Sequence, residues 1–302
     1  MLPIIYSPLY EVDIGVHVFP TSKYRHVRDE VIRRGLVGLD GFLEPPPPEE
    51  PDLLRVHTPD FLDDLRQCRW TPRTWASELP LTPEIVQAYL LGASGTLLAA
   101  RHALDAGGAA HLGGGFHHAF SDHAEGFCYI NDIAVAIRAL MHEGRIHRPV
   151  VVDCDLHQGN GTAAIFQQEP EVFTFSIHQE NNYPVKQRSR LDIGLEDFAG
   201  DERYLRALDG VIPRVYDRHE ADFVVYVAGA DPFEEDQLGL LRLSREGLRR
   251  RDEKVLAAAV QRQIPFVVVL AGGYARKLED TVAIHADTVA IAARCLETFS
   301  TA

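Results

Sequence analysis

The chain is short of the features that would assign it most quickly. Its four cysteines, Cys68, Cys128, Cys154 and Cys295, are scattered, and no two stand as C-x-x-C. That removes the usual thiolate zinc knuckle and the dithiol redox motif. Buried free thiols are expected instead, as in a reducing compartment. The opening MLPIIYSPLYEVD has no cationic start ahead of a long apolar core, and no apolar run reaches bilayer length. Neither a secretory leader nor a membrane span is expected, and the cytoplasm is the expected compartment. Internal repeats are absent. Basic residues are outnumbered, 30 Lys and Arg against 44 Asp and Glu, for a net charge of -14. This balance argues against nonspecific nucleic-acid binding and suits cationic partners such as lysine-bearing peptides or polyamines.

What remains is an ordinary globular composition, 302 residues at 46% hydrophobic and 25% charged. Residues 1–302 are read as one domain. Short apolar runs at 3–6, 149–153, 172–177, 222–228 and 265–270 have the character of buried parallel strands. Between them, helical stretches are expected at 83–106, 131–142, 201–216, 244–261 and 278–298, the first opened by Thr82 as N-cap and Pro83. This alternation predicts an α/β fold with a mostly parallel central sheet covered on both faces. The run PPPPEE at 45–50 is expected to be extended surface chain. The cluster Arg249-Arg250-Arg251, beside Glu246, Asp252 and Glu253, is expected to be a solvated, salt-bridged helix face.

The densest chemistry lies in Val150-Val151-Val152-Asp153-Cys154-Asp155-Leu156-His157. Alternation along a strand puts Asp153, Asp155 and His157 on one side. Two buried carboxylates and an imidazole are costly without a cation. Two readings fit this segment alone, a metal or a helix-capping aspartate beside a satisfied histidine. Ligands in open α/β sheets bind beyond the carboxyl ends of strands. The other strands lead there into Ser176 and His178, Gly229-Ala230-Asp231, and Ala271-Gly272-Gly273-Tyr274. A further segment, His111-Leu112-Gly113-Gly114-Gly115-Phe116-His117-His118, lacks the GK[ST] of a phosphate loop, and the chain lacks a G-x-S-x-G serine. Alone, the histidine pair reads as incidental. Taken together, Asp155, His157 and Asp231 make a three-ligand site with open positions, suited to zinc and also to iron. His117 or His118 would serve as base and the Tyr274 hydroxyl as oxyanion donor, a complete kit for metal-assisted amide hydrolysis.

The segments HLGGGFHHA, GFCYINDIA, VVDCDLHQGNG, FSIHQE, GADPFEEDQLG and LAGGYA, in this order, resemble the zinc-dependent histone deacetylase family across nearly the whole chain. The resemblance implies an arginase-like α/β fold. It implies zinc held by Asp155, His157 and Asp231, with His118 as general base and acid. His117 is implied as an electrostatic partner paired to Asp153, and Tyr274 as the group that polarises the carbonyl. Gly126 and Phe127 would wall a narrow acyl-lysine channel, Tyr183 would face them, and Leu238 would lie near its rim. A structural potassium ion is implied at Asp153, Asp155, His157, Ser176 and Ile177, partly through backbone carbonyls.

One position departs from the pattern. Class I members carry His-Gly-Asp after the D-x-H, where this chain has Gln158-Gly159-Asn160. The partner of His118 would then be the neutral Asn160, and losing that charge is expected to lower the His118 pKa. The variant resembles the class IV and bacterial branch, as does the opening, which implies action on longer acyl chains as well as acetyl. Two other readings accompany the acyl-lysine one. The first is deacylation of a small amine such as an acetylpolyamine, with the acidic Glu234-Glu235-Asp236 run near the channel. The second is a catalytically silent scaffold. His111 and His178 are expected to support the glycine loop and a strand end, and His123, His142, His147, His219 and His285 to be surface or satisfied residues.

Overall fold

The computed structural model describes residues 1–299; the last three positions of the expected domain lie outside the described residues. Eight strands form one all-parallel sheet: β1 (Ile4–Ile5), β2 (Phe42–Leu43), β3 (Gly108–His111), β4 (Pro149–Asp153), β5 (Phe173–Gln179), β6 (Leu191–Leu195), β7 (Phe223–Val227) and β8 (Phe266–Val269). Their spatial order is β2-β1-β3-β8-β7-β4-β5-β6. The helices are α1 (Lys23–Arg33), α2 (Glu50–Leu54), α3 (Pro59–Arg66), α4 (Pro83–Ala106), α5 (Asp132–His142), α6 (Asn160–Phe166), α7 (Asp201–Asp209), α8 (Ile212–His219), α9 (Arg245–Val260) and α10 (Leu278–Phe299). One continuous apolar cluster joins sheet and helices. The central strands β4, β7 and β8 are buried along their whole length, which is why they read as unbroken Val-rich runs and not as alternating ones. No helix among the described residues is long and apolar enough to cross a membrane.

The register fixes where chemistry gathers. His111 pairs with Val269, Val269 with Val227, Val227 with Asp153, and Asp153 with Ser176. Four of these strands, β3, β8, β7 and β4, therefore end on one row, and β5 crosses it at Ser176 and runs on to Gln179, so the residues that follow the four emerge side by side.

Helix α4 begins as its sequence dictates: the Thr82 hydroxyl accepts the Ile85 N–H at 3.4 Å, and Pro83 occupies the first turn. The single helix expected over 201–216 is two. Pro213 cannot donate into the preceding turn and its ring crowds that turn's carbonyl, so the chain breaks at Gly210 and restarts at Ile212. The strand expected at 172–177 runs on to Gln179, which places His178 within it. The extended run at 45–50 stops one residue early, because Glu50 opens α2.

The solvated arginine face is only partly real. Arg251 is fully buried: its Nη1 donates to the carbonyls of Cys154 at 3.1 Å and Gly229 at 2.6 Å, and its Nε donates to Asp252 at 2.9 Å. Asp252 also accepts from Tyr226 and Thr288. Arg251 thus braces the ends of both β4 and β7, and the ion pair hides it from any hydropathy pattern.

Buried imidazoles make the fold sensitive to acid. Burial holds His57 down at about 4 and His111 at about 3. In the unfolded chain each takes a proton near pH 6.5, so their contribution is complete above that pH and is lost as pH falls. Each costs about 1.4 kcal/mol per pH unit below 6.5, or about 4 kcal/mol for the pair at pH 5. Urea unfolding at pH 7.5 and pH 5.0 should show that loss, and His57→Gln should flatten the profile. Equal stability at both pH values would contradict it.

Candidate active site

The glycine segment leaves β3 and turns through Gly114 and Gly115, at φ +70° and +85°, where a side chain would be strained. A hydrogen-bond chain holds the turn. Tyr10 donates to His111 Nε2 at 2.8 Å, His111 Nδ1 to Thr96 at 2.9 Å, and Thr96 to Asp132 at 2.5 Å. Asp132 in turn accepts the N–H groups of Gly115 and Phe116. Only one proton placement satisfies the whole chain, with His111 neutral. This is the support expected of His111; the part played by Asp132 was hidden, since it reads as an ordinary first-turn helix acid.

The loop delivers the tandem histidines. His117 Nδ1 meets Asp153 at 2.7 Å, and its Nε2 lies 3.1 Å from His118 Nε2 and 3.7 Å from Asp155. Burial pulls His117 down, but the charges of Asp153 and Asp155 outweigh it and hold it up at about 9. His118 is pushed well below its ordinary value, first by burial and then by the charges of His117 and His157. Its Nδ1 lies 2.7 Å from Asn160 Oδ1. His118 is thus lowered as expected, but by burial and its imidazole neighbours, for the Asn160 contact itself acts in the opposite direction.

Asp155, His157 and Asp231 converge, with one ligand atom from each lying within 4.8 Å of the others and all three residues buried. His157 Nδ1 faces Asp155 Oδ1 and Asp231 Oδ2, both at 3.4 Å. The second Asp155 oxygen accepts from Gly272 N, and Asp231 Oδ1 from Leu156 N. Asp231 Oδ2 is left without a hydrogen bond. A side chain at Gly229 or Gly272 would drive its Cβ into these carboxylates. Burial opposes charge on His157, yet Asp155 and Asp231 hold it up at about 10. The three groups thus call for one positive charge, and an orphaned carboxylate oxygen in a cradle of glycines is a fit for a divalent metal with mixed oxygen and nitrogen ligands.

A channel of about 260 Å3 leads outward from this cluster, lined by Glu78, His118, Gly126, Phe127, His157, Asn182, Tyr183, Leu238 and Tyr274. All four residues expected at a channel therefore line it. Gly126 and Phe127 form a tight turn at φ +50° and +62°, tied to Ala76 and Ser77. Glu78, also left-handed at φ +61°, had no sequence signal. Tyr183 sits on a segment pinned by Gln158, whose amide bonds Gln187 N and O and Asp192. Tyr274 reaches the floor, and among the described residues its hydroxyl has no partner. Its N–H donates to Asp236 at 2.8 Å, and Lys23 Nζ lies 5.9 Å from its ring while donating to Ala271 O.

Within the acidic run, Glu234 and Glu235 are exposed, while Asp236 is buried and accepts from Leu238 N and Tyr274 N. The expectation for His285 is corrected, since it is buried with both ring nitrogens unpartnered, whereas His219 is satisfied as expected, its Nε2 2.9 Å from Glu171 O. Ser176 stands opposite Asp153, and its hydroxyl meets His178 Nδ1 at 2.8 Å.

Residues 17–289 match the histone deacetylase domain. The chain is 38% identical over 286 residues to an uncharacterized protein of Picosynechococcus sp., covering 94% of this chain and 95% of that one. It is 32% identical over 301 residues to histone deacetylase 2 of Arabidopsis thaliana, covering 95% and 77%. It is 29% identical over 289 residues to a probable deacetylase of Methanothermobacter thermautotrophicus, covering 90% and 85%. With its all-parallel sheet and buried Asp/His/Asp cluster, the chain belongs to the histone deacetylase family of hydrolases.

Proposed function

We propose that the protein is a zinc-dependent lysine deacetylase, hydrolysing the amide of Nε-acetyl-lysine in proteins or peptides. The observation that carries this is the succession of groups down one channel. Phe127 and the exposed Tyr183 line it together with the buried His118, His157 and Tyr274, and an adjoining space of about 30 Å3 is lined by Asp155, His157 and Gly272 among others. That space fits a water or a methyl group. A further apolar space of about 20 Å3 shares Phe19, Tyr24 and Phe116 with it. A longer acyl chain requires those rings to turn aside, which favours acetyl.

Asp155, His157 and Asp231 would hold the zinc. When bound, it supplies Lewis acidity that polarises the amide carbonyl and makes water a nucleophile at neutral pH. The alkyl part of the acyl-lysine packs between Phe127 and Tyr183. His118, neutral and buried, takes the proton of the attacking water at Nε2 and later delivers it to the departing lysine nitrogen. His117, kept protonated by Asp153, stays a fixed positive charge beside it. The Tyr274 hydroxyl donates to the carbonyl oxygen as negative charge develops there. Structural potassium belongs to the same proposal: the β4–β5 register brings Asp153 and Ser176 to one corner, where a monovalent cation would offset buried carboxylates.

The test is turnover by zinc-loaded protein on one lysine peptide carrying acyl groups from acetyl to myristoyl. Acetyl should be released fastest, and Tyr274→Phe should lower kcat by ~10²–10³, the cost of one oxyanion donor. Release from acetylpolyamines but from no peptide would replace this reading with the small-amine one, and release from neither would favour a scaffold.

A further inference from the structure

The carboxylate missing at position 160 is present one hydrogen bond further out. An asparagine amide accepts at Oδ1 and donates at Nδ2, and nothing in the residue itself decides which end faces a neighbour. With Oδ1 toward His118 Nδ1, the imidazole must carry its proton on Nδ1, leaving Nε2 free to act as a base. With the amide reversed, Nε2 would be protonated and unable to serve. The deciding contact is Glu125. Its Oε1, an acceptor only, takes Asn160 Nδ2 at 2.7 Å, which turns Oδ1 to His118, also at 2.7 Å. The same oxygen accepts the Tyr183 hydroxyl at 3.0 Å.

Glu125 is well anchored for this task. Its N–H donates to Cys128 O at 3.1 Å, and its carbonyl accepts Cys128 N at 2.9 Å. These bonds close the tight turn whose tip is Gly126 and Phe127, so the channel wall and the Glu125 carboxylate share one rigid frame. Its other oxygen lies 3.7 Å from His123 Nε2, and His123 is held by Asp122 at 2.7 Å. From the opposite side, His117 Nε2 faces His118 Nε2 at 3.1 Å, a contact that suits the same tautomer.

We propose that Glu125 is a positioning residue: acting through Asn160 it fixes His118 as the Nδ1–H tautomer, and through Tyr183 it ties that choice to the channel wall. The kinetic part of this inference rests on the deacetylase reading. The tautomer does not, because it exists in the resting protein without substrate.

The experiment is long-range 1H–15N spectroscopy of 15N-histidine-labelled protein, metal-free and zinc-loaded, alongside kinetics. Wild type should show His118 protonated at Nδ1. Glu125→Ala should give a mixture of tautomers and a kcat about 10–100-fold lower at unchanged zinc content, the usual effect of losing an outer hydrogen-bond partner. Glu125→Gln, which keeps an acceptor but can also present its amide donor, should fall between wild type and Glu125→Ala in both. The decisive comparison exchanges the two groups. Asn160→Asp alone sets two carboxylates against each other and should impair kcat. Combining Asn160→Asp with Glu125→Gln lets the relocated carboxylate accept from both His118 and the new amide, and should recover kcat to within about tenfold of wild type.

A His118 tautomer unchanged in Glu125→Ala would mean that the His117 contact alone sets it, and would overturn the proposal. So would an exchanged pair no better than Asn160→Asp alone, and that comparison stands even if Glu125→Ala does not fold. Tautomers behaving as stated in a protein that turns over no acyl-lysine would instead count against the deacetylase reading.

Discussion

Alanine at Asp155 should give a protein that neither retains stoichiometric zinc nor turns over acetyl-lysine peptides. Asp155 is the carboxylate with the most connections in the cluster, accepting from His157 N and Gly272 N while facing the His157 imidazole. Truncation removes one ligand and loosens both the chain that carries a second and the turn that carries Tyr274. Lewis acidity supplies several kcal/mol of transition-state stabilisation, and each 1.4 kcal/mol is tenfold in rate, so a loss of at least ~10³ is expected. Zinc should raise the Tm of the wild type and leave that of Asp155→Ala unchanged, since only a protein that binds gains stability from the ligand. Stoichiometric zinc in the purified variant would remove Asp155 from the ligand set.

His118→Ala should lower kcat by ~10²–10⁴ with zinc fully retained, the range expected for a positioned acid–base group. The contrast with Asp155 is the point of the comparison, for one variant loses metal and activity together and the other only activity. Because burial and its imidazole neighbours hold His118 well below its ordinary pKa, the base stays unprotonated as pH falls. The acid limb of kcat/KM should therefore lie below pH 6.5. His117→Ala should cost less, since His117 carries charge and moves no proton in this scheme. Equal losses from the two alanine variants would remove the distinction between their roles, and a larger loss from His117→Ala would reverse them.

Much of this was legible in the chain because the central strands leave no choice. Val150 to Val152 and Val267 to Val269 can sit only in a doubly covered sheet, and the polar residues after them can sit only at its edge. The ligand cluster, the tandem histidines and Tyr274 follow from that reasoning. What escaped the sequence was polarity turned inward. Arg251 and Asp252 look like neighbouring surface charges until packing shows them paired beneath the site. Asp236 reads as one of three exposed acids, yet it holds the backbone of Tyr274. Glu125 and Glu78 stand in loops with no periodicity, and only the approach of distant segments gives them work. The break before Pro213 is readable locally, since a proline there cannot donate into the preceding turn.

Four strands end together on the row through His111, Val269, Val227 and Asp153, with β5 crossing it at Ser176, and this makes the site a vernier of the fold. Slipping any one of these strands by a single residue turns its side chains to the opposite face and advances its terminal loop by about 3.3 Å. That displacement exceeds the tolerance of a metal ligand or a hydrogen bond, so a sheet with β4 or β7 out of step, however compact and helical, would hold no metal. Bound metal per chain would therefore count the molecules whose β4 and β7 are in step, a quantity that circular dichroism and size cannot supply.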